Sequence, residues 1–167
     1  LQYGVEEALS AGIRNMSIVT GRGKRAIEDH FDNSYELESQ LKGTSKEHYL
    51  NEIESIINKS TFTYVRQNKM LGLGHAILTG EALIGNEPFG VILADDLCYS
   101  ENSSVMVQML KIYNKYKCSI VAIEEVSQGM VENYGIIDGN LIDNSKNIFR
   151  VNNMIEKPNH NDSPSNL

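Results

Sequence analysis

The chain lacks tryptophan and has only three prolines and two cysteines among 167 residues. Two cysteines cannot staple a scaffold of this size, and Cys98 and Cys118 are not at zinc spacing. They read as reduced, buried small hydrophobes of a cytoplasmic protein. No apolar run is long enough for a membrane-crossing helix, which excludes a transmembrane span and a membrane partner. Cations are also short, with 15 Lys and Arg against 22 Asp and Glu and a formal charge of −7. Nothing would neutralise the phosphates of a nucleic-acid polymer, so that partner is excluded as well. A mononucleotide stays possible, because a pocket can be locally basic in an acidic protein.

What is present suits one α/β domain over residues 1–167. Residue 1 is Leu and already lies on an amphipathic face with Val5, Ala8 and Leu9, a helix that Gly12 ends. At the other end, Ser163 to Leu167 trails off without an element to close the fold. The chain therefore reads as a piece of a longer protein, incomplete at both ends.

The central stretch is Phe89-Gly90-Val91-Ile92-Leu93-Ala94-Asp95-Asp96. Val91, Ile92 and Leu93 make a short continuous apolar run, the pattern of a strand buried on both faces of a parallel sheet. Ligands collect beyond the carboxyl ends of such strands. Asp95 and Asp96 sit at that edge, where carboxylate oxygens can hold Mg²⁺ together with substrate phosphates. The structural alternative is that one Asp ends the strand and the other caps the next helix.

Other elements follow from periodicity. Met16 to Thr20, Thr61 to Arg66 and Ser119 to Glu124 read as strands, and Ser103 to Lys117 as a helix with Met106 among its core fillers. Residues 34–58 read as an insertion-like helical pair with Tyr35, Leu37, Leu41, Leu50, Ile53 and Ile57 as its buried stripe, and carry no assigned chemistry. Gly21-Arg22-Gly23-Lys24-Arg25 departs from the P-loop spacing and reads as a tight turn with a solvated basic rim. His30 reads as packed in place beside Ala26, Ile27 and Phe31, since no second ligand lies at metal spacing on its helix. Tyr134 to Ile142 reads as a hairpin turning at Asp138-Gly139 or Gly139-Asn140. Ile148 to Ile155 follows as a strand broken at Asn152-Asn153.

Between the second strand and the next helix comes Gln67, then Gly72-Leu73-Gly74-His75-Ala76. Glycines at 72 and 74 let backbone approach a flat or charged ligand. The Gln67 amide, with an acceptor and a two-hydrogen donor, can pair with a complementary base edge. A lone Gly-x-Gly is weak by itself, since the third glycine of a dinucleotide fingerprint is absent.

In order and spacing these segments resemble one family, the bacterial UTP–glucose-1-phosphate uridylyltransferases, also called UDP-glucose pyrophosphorylases. The residues that carry the resemblance are Val19-Thr20-Gly21-Arg22-Gly23-Lys24, His30-Phe31-Asp32, Gln67 with Gly72 to Ala76, Leu93-Ala94-Asp95-Asp96, Tyr134-Gly135 and Glu156-Lys157-Pro158. The Gly-Leu-Gly-His-Ala form resembles the uridylyl branch; related thymidylyltransferases usually carry Gly-Leu-Ala-Gln-Ala. The resemblance implies a three-layer α/β/α sandwich with a mostly parallel mixed sheet, of the nucleotide-diphospho-sugar transferase type. It implies that Gln67 pairs with uracil, with Gly72 and Gly74 close to base and ribose. Asp95 would be the Mg²⁺ ligand, and Asp96 a weaker second candidate. Gly135 and Glu156 would hold glucose hydroxyls and Lys157 the sugar phosphate. The implied reaction joins UTP and glucose 1-phosphate into UDP-glucose and pyrophosphate, in a homo-oligomer such as a dimer or tetramer.

The departures are specific. Ala94 stands where the family usually has Pro, and the family's opening strand, with its Gly-x-Gly-Thr-Arg loop and Pro-Lys motif, is absent. So is the C-terminal part with a second metal-binding aspartate. The chain alone is therefore expected to turn over negligibly. The alternatives are a non-catalytic nucleotide-sugar-binding or regulatory domain, a sugar-1-phosphate nucleotidyltransferase of other specificity, or a glycosyltransferase. The last would want an Asp-x-Asp pair, whereas these carboxylates are adjacent.

Overall fold

A computed structural model describes residues 1–142 and 147–167. The chain divides into two compact units, Leu1–Ile120 and Val121–Leu167.

The first unit opens with α1 (Gln2–Ser10), whose Val5 and Ala8 are buried. Gly12, at φ 80°, turns the chain out of it, with N–H groups of Gly12 and Ile13 returning to the carbonyls of Leu9 and Ala8. This is the left-handed stop expected of glycine. Then come β1 (Asn15–Thr20), the short helices α2 (Arg25–Asp29) and α3 (Tyr35–Leu41), and α4 (Glu47–Lys59). The strand β2 (Thr61–Arg66) pairs parallel with β1, from Asn15 opposite Thr61 to Thr20 opposite Arg66. A parallel pair needs a long crossover, and α2 to α4 supply it. Alternation puts Met16, Ile18 and Phe62 against a core of Val5, Phe31 and Ile56. The Phe31 and Phe62 rings stack with centroids 4.5 Å apart, and such pairs add to the value of burial alone. Tyr64 of β2 is half-buried there, and its hydroxyl donates to the Glu28 carbonyl at 3.5 Å.

Helix α4 contributes Leu50 and Ile56 to the interior. Tyr35 and Leu37 of α3, expected on the buried stripe, are instead 84% and 50% exposed. The seven-residue α3 leans on α4 and is too short to cover both of its sides. Ala26 and His30 are likewise exposed, although His30 keeps an edge contact with buried Phe31. Arg22, Gly23, Lys24 and Arg25 are all exposed, as a solvated rim requires.

Beyond β2 the chain forms α5 (Leu73–Thr79) and α6 (Glu81–Ile84), and after Ser104 caps it, α7 (Val105–Tyr116). Two contacts tie α7 to α1: Met106 N–H donates to the Glu7 carboxylate, and Ser10 Oγ donates to Ser104 Oγ.

The segment Val91-Ile92-Leu93 departs from expectation. It makes no strand ladder among the described residues, and its side chains are 44%, 36% and 36% exposed. Ile92 packs against Gly4 and Gly90 against Met106, and all of these residues line an apolar cavity of about 370 Å³ shared with Met16, Ile18 and Val19 of β1. An apolar run becomes a buried strand only where a neighbouring strand satisfies its backbone groups. Ser119 to Glu124 also forms no ladder. Cys98 and Cys118 are in no disulfide among the described residues and are exposed rather than buried, since both fall in irregular chain outside the core.

The second unit holds a 3-10 helix (Gln128–Asn133) and an antiparallel pair, β3 (Gly135–Leu141) and β4 (Phe149–Glu156). Val131, Ile136 and Ile137 are its buried aliphatic residues, and Pro158 is buried as well. Neither Asp138-Gly139 nor Gly139-Asn140 is a hairpin turn; β3 runs straight through both. The register slips there, with Asp138 opposite Asn153 and Gly139 opposite Val151, so Asn152 is the extra residue of a bulge. Arg150 O comes within 2.9 Å of where a Cβ on Gly139 would stand. Close backbone approach, a usual reason for glycine within a strand, therefore explains this one. Nor is the strand broken at Asn152-Asn153, because the bulge absorbs the irregularity. The last residues are tied down: Ile137 N–H donates to Leu167 O at 2.9 Å, and Ser165 Oγ donates to Ile137 O at 2.6 Å.

Candidate functional site

Parallel strands deliver Gln67. Its backbone N–H donates to the Thr20 carbonyl at 2.9 Å, one step past the last paired residue of β2. The side chain thus starts at the carboxyl end of the β1–β2 pair, where α/β sheets bind ligands. Its amide nitrogen donates to the Gly72 carbonyl at 3.2 Å and lies 3.0 Å from Nδ1 of His75. The loop between Gln67 and α5 is therefore closed by its own side chains.

Gly72 has φ 91° and ψ −179°, a conformation open to glycine and strained for any other residue. A Cβ on Gly72 or Gly74 would meet nothing within 4 Å. At Gly72 the need is conformational, and beside both glycines the space is open for a flat ligand.

Asp95 stands in an exposed turn closed by Asp96 N–H on the Leu93 carbonyl at 3.4 Å. Asp96 is exposed too. Among the described residues no group of three or more His, Cys, Asp or Glu gathers as a metal centre. Two adjacent accessible carboxylates do fit Mg²⁺, which is typically held by one or two carboxylates and completes its shell with waters and substrate phosphates.

In the second unit three expected residues come together. Gly135 opens β3 directly opposite Glu156 at the end of β4, and Glu156 Oε2 lies 3.3 Å from the place of a Gly135 Cβ. Lys157 follows in the left-handed region at φ 47°, with its N–H on the Tyr134 carbonyl at 2.9 Å. Its Nζ is 3.9 Å from Glu156 Oε1, and both side chains are mostly exposed. Such a pair adds little stability and leaves both charges available.

Two neighbours of these residues carry no assigned role in the sequence reading. His75 is half-buried against Gln67, and only its place directly after Gly-Leu-Gly marks it. The Tyr134 carbonyl fixes Lys157 through the backbone, which leaves no signal in residue type.

The nucleotidyl transferase family model matches residues 1–167. A curated UTP–glucose-1-phosphate uridylyltransferase of Pseudomonas aeruginosa is 57% identical over 168 residues, covering 100% of this chain and 60% of that protein. The crystal structure of an apo UDP-glucose pyrophosphorylase, 58% identical, matches with a TM-score of 0.92 over 99% of this chain and 60% of that one. A UDP-glucose pyrophosphorylase complexed with UDP-glucose, 55% identical, matches at 0.88 over 99% and 59%. The chain thus spans about 60% of the length of these relatives.

Proposed function

The chain belongs to the nucleotidyl transferase family, and from that premise we propose that the whole protein is a UTP–glucose-1-phosphate uridylyltransferase. The observation that carries this reading is the Gln67 amide, anchored on Gly72 at the carboxyl end of a parallel strand beside open glycine backbone. A relative sharing 55% of its residues binds UDP-glucose.

In this reading Gln67 contacts the uracil edge and Gly72 and Gly74 flank base and ribose. Glu156 accepts from glucose hydroxyls beside Gly135, whose lack of a side chain leaves room for the carboxylate itself. Lys157 holds the sugar phosphate as a point charge. An oxygen of glucose 1-phosphate attacks the α-phosphorus of UTP in line, and pyrophosphate leaves. Phosphate oxygens are competent nucleophiles, so the protein's work is positioning and charge neutralisation. Asp95, with Asp96 beside it, would hold Mg²⁺, which when bound offsets the negative charge of the phosphates.

The same reading makes the protein cytoplasmic, in keeping with two exposed cysteines outside any disulfide, and a homo-oligomer. The test is product analysis with full-length protein, UTP, glucose 1-phosphate and Mg²⁺. UDP-glucose and pyrophosphate in equal amounts are expected. UDP-glucose consumed without pyrophosphate, or bound without turnover, would overturn the reading.

A further inference from the structure

The Gly72 carbonyl and His75 together settle which end of the Gln67 amide is on offer. An amide left free to turn over reads no base, since it presents an acceptor or a donor with equal ease. The Gly72 carbonyl can only accept, so the amide atom 3.2 Å from it is the nitrogen. That nitrogen carries a second hydrogen, directed at Nδ1 of His75 at 3.0 Å. Nδ1 therefore accepts, and the neutral imidazole keeps its proton on Nε2. Both amide hydrogens are spent inside the loop. Oε1 is left over, and among the described residues it has no partner.

We propose that His75 is a positioning residue that holds the Gln67 oxygen toward the nucleobase, so that the site takes bases with a ring N–H and rejects cytosine. Uracil and thymine present N3–H, which an outward oxygen accepts. Cytosine presents a lone pair at N3, which the same oxygen repels. The inference rests on the reading of Gln67 as the base contact and adds to it the residue that gives the contact its sign.

The test is kcat and KM for UTP and CTP in the full-length protein, comparing wild type with His75→Phe, His75→Gln and Gln67→Ala. Phe keeps a ring without an acceptor, whereas Gln restores an acceptor oxygen. One hydrogen bond is worth up to roughly tenfold. His75→Phe should lower the UTP-over-CTP ratio of kcat/KM by about that factor, mainly through KM for UTP. His75→Gln should recover most of it, and His75→Phe should change the ratio no further in the Gln67→Ala background. If His75→Phe does not fold, His75→Ala is read in the same way. A folded variant with an unchanged ratio, no recovery in His75→Gln, or an undiminished effect without Gln67 would overturn the role of His75. Should Gln67→Ala itself leave the ratio unchanged, the base-contact reading fails and this inference with it.

Discussion

Glu156 lies directly across the β3–β4 ladder from Gly135, with its Oε2 3.3 Å from the position a Cβ on Gly135 would take. The carboxylate rests against bare backbone. A methyl group there would press on a charged atom at the end of a flexible side chain, and the side chain would swing aside.

Gly135→Ala should therefore fold normally yet displace the Glu156 carboxylate from the sugar-binding position proposed for it. KM for glucose 1-phosphate should rise about tenfold, the worth of one hydrogen bond, with KM for UTP little changed. Initial-rate kinetics in both substrates measure this, and an equal rise in both would refute it.

Lys157 occupies a left-handed conformation that costs a residue with a Cβ roughly 1–2 kcal/mol. Lys157→Gly should thus be more stable than Lys157→Ala by about 1 kcal/mol. Both lose the ammonium group, so both should weaken glucose 1-phosphate by an order of magnitude or more. Urea unfolding alongside kinetics separates backbone strain from charge.

Asp95→Asn preserves shape and removes charge. In the full-length protein it should cut kcat on the order of 100-fold and raise the Mg²⁺ needed for half-maximal rate. Normal Mg²⁺ dependence at normal rate would remove Asp95 from the site.

Strands β1 and β2 were legible because both alternate against one core, with Met16, Ile18 and Phe62 inward. Helix α7 was legible from the helical spacing of Met106 and its apolar neighbours, and the structure adds the Ser104 cap. Val91-Ile92-Leu93 was misread because an apolar run specifies a preference for burial and cannot say whether a neighbouring strand stands beside it. Asp138-Gly139 was misread because glycine serves both turns and bulges, and only the cross-strand register distinguishes them. At the site, Gln67 and Gly72 were legible as a donor–acceptor group beside permissive backbone. The contribution of His75 was not, because it depends on which atom faces which across the loop.

Tyr64 gives a pH signature. Burial, with the Asp32 and Glu28 carboxylates nearby, raises its pKa above the ordinary 10.0. The neutral phenol is favoured by the fold, so its contribution is complete below about pH 10 and is lost as pH rises through the higher folded value. The melting temperature should fall more steeply above that pH in wild type than in Tyr64→Phe. Parallel curves would contradict the shift.

Most direct of all is a crystal structure of the full-length protein with UDP-glucose. Uracil N3 should lie within hydrogen-bond distance of Gln67 Oε1, with the amide nitrogen still on Gly72 and His75. Uracil bound elsewhere, or met by the amide nitrogen instead of the oxygen, would contradict the base site proposed for this chain.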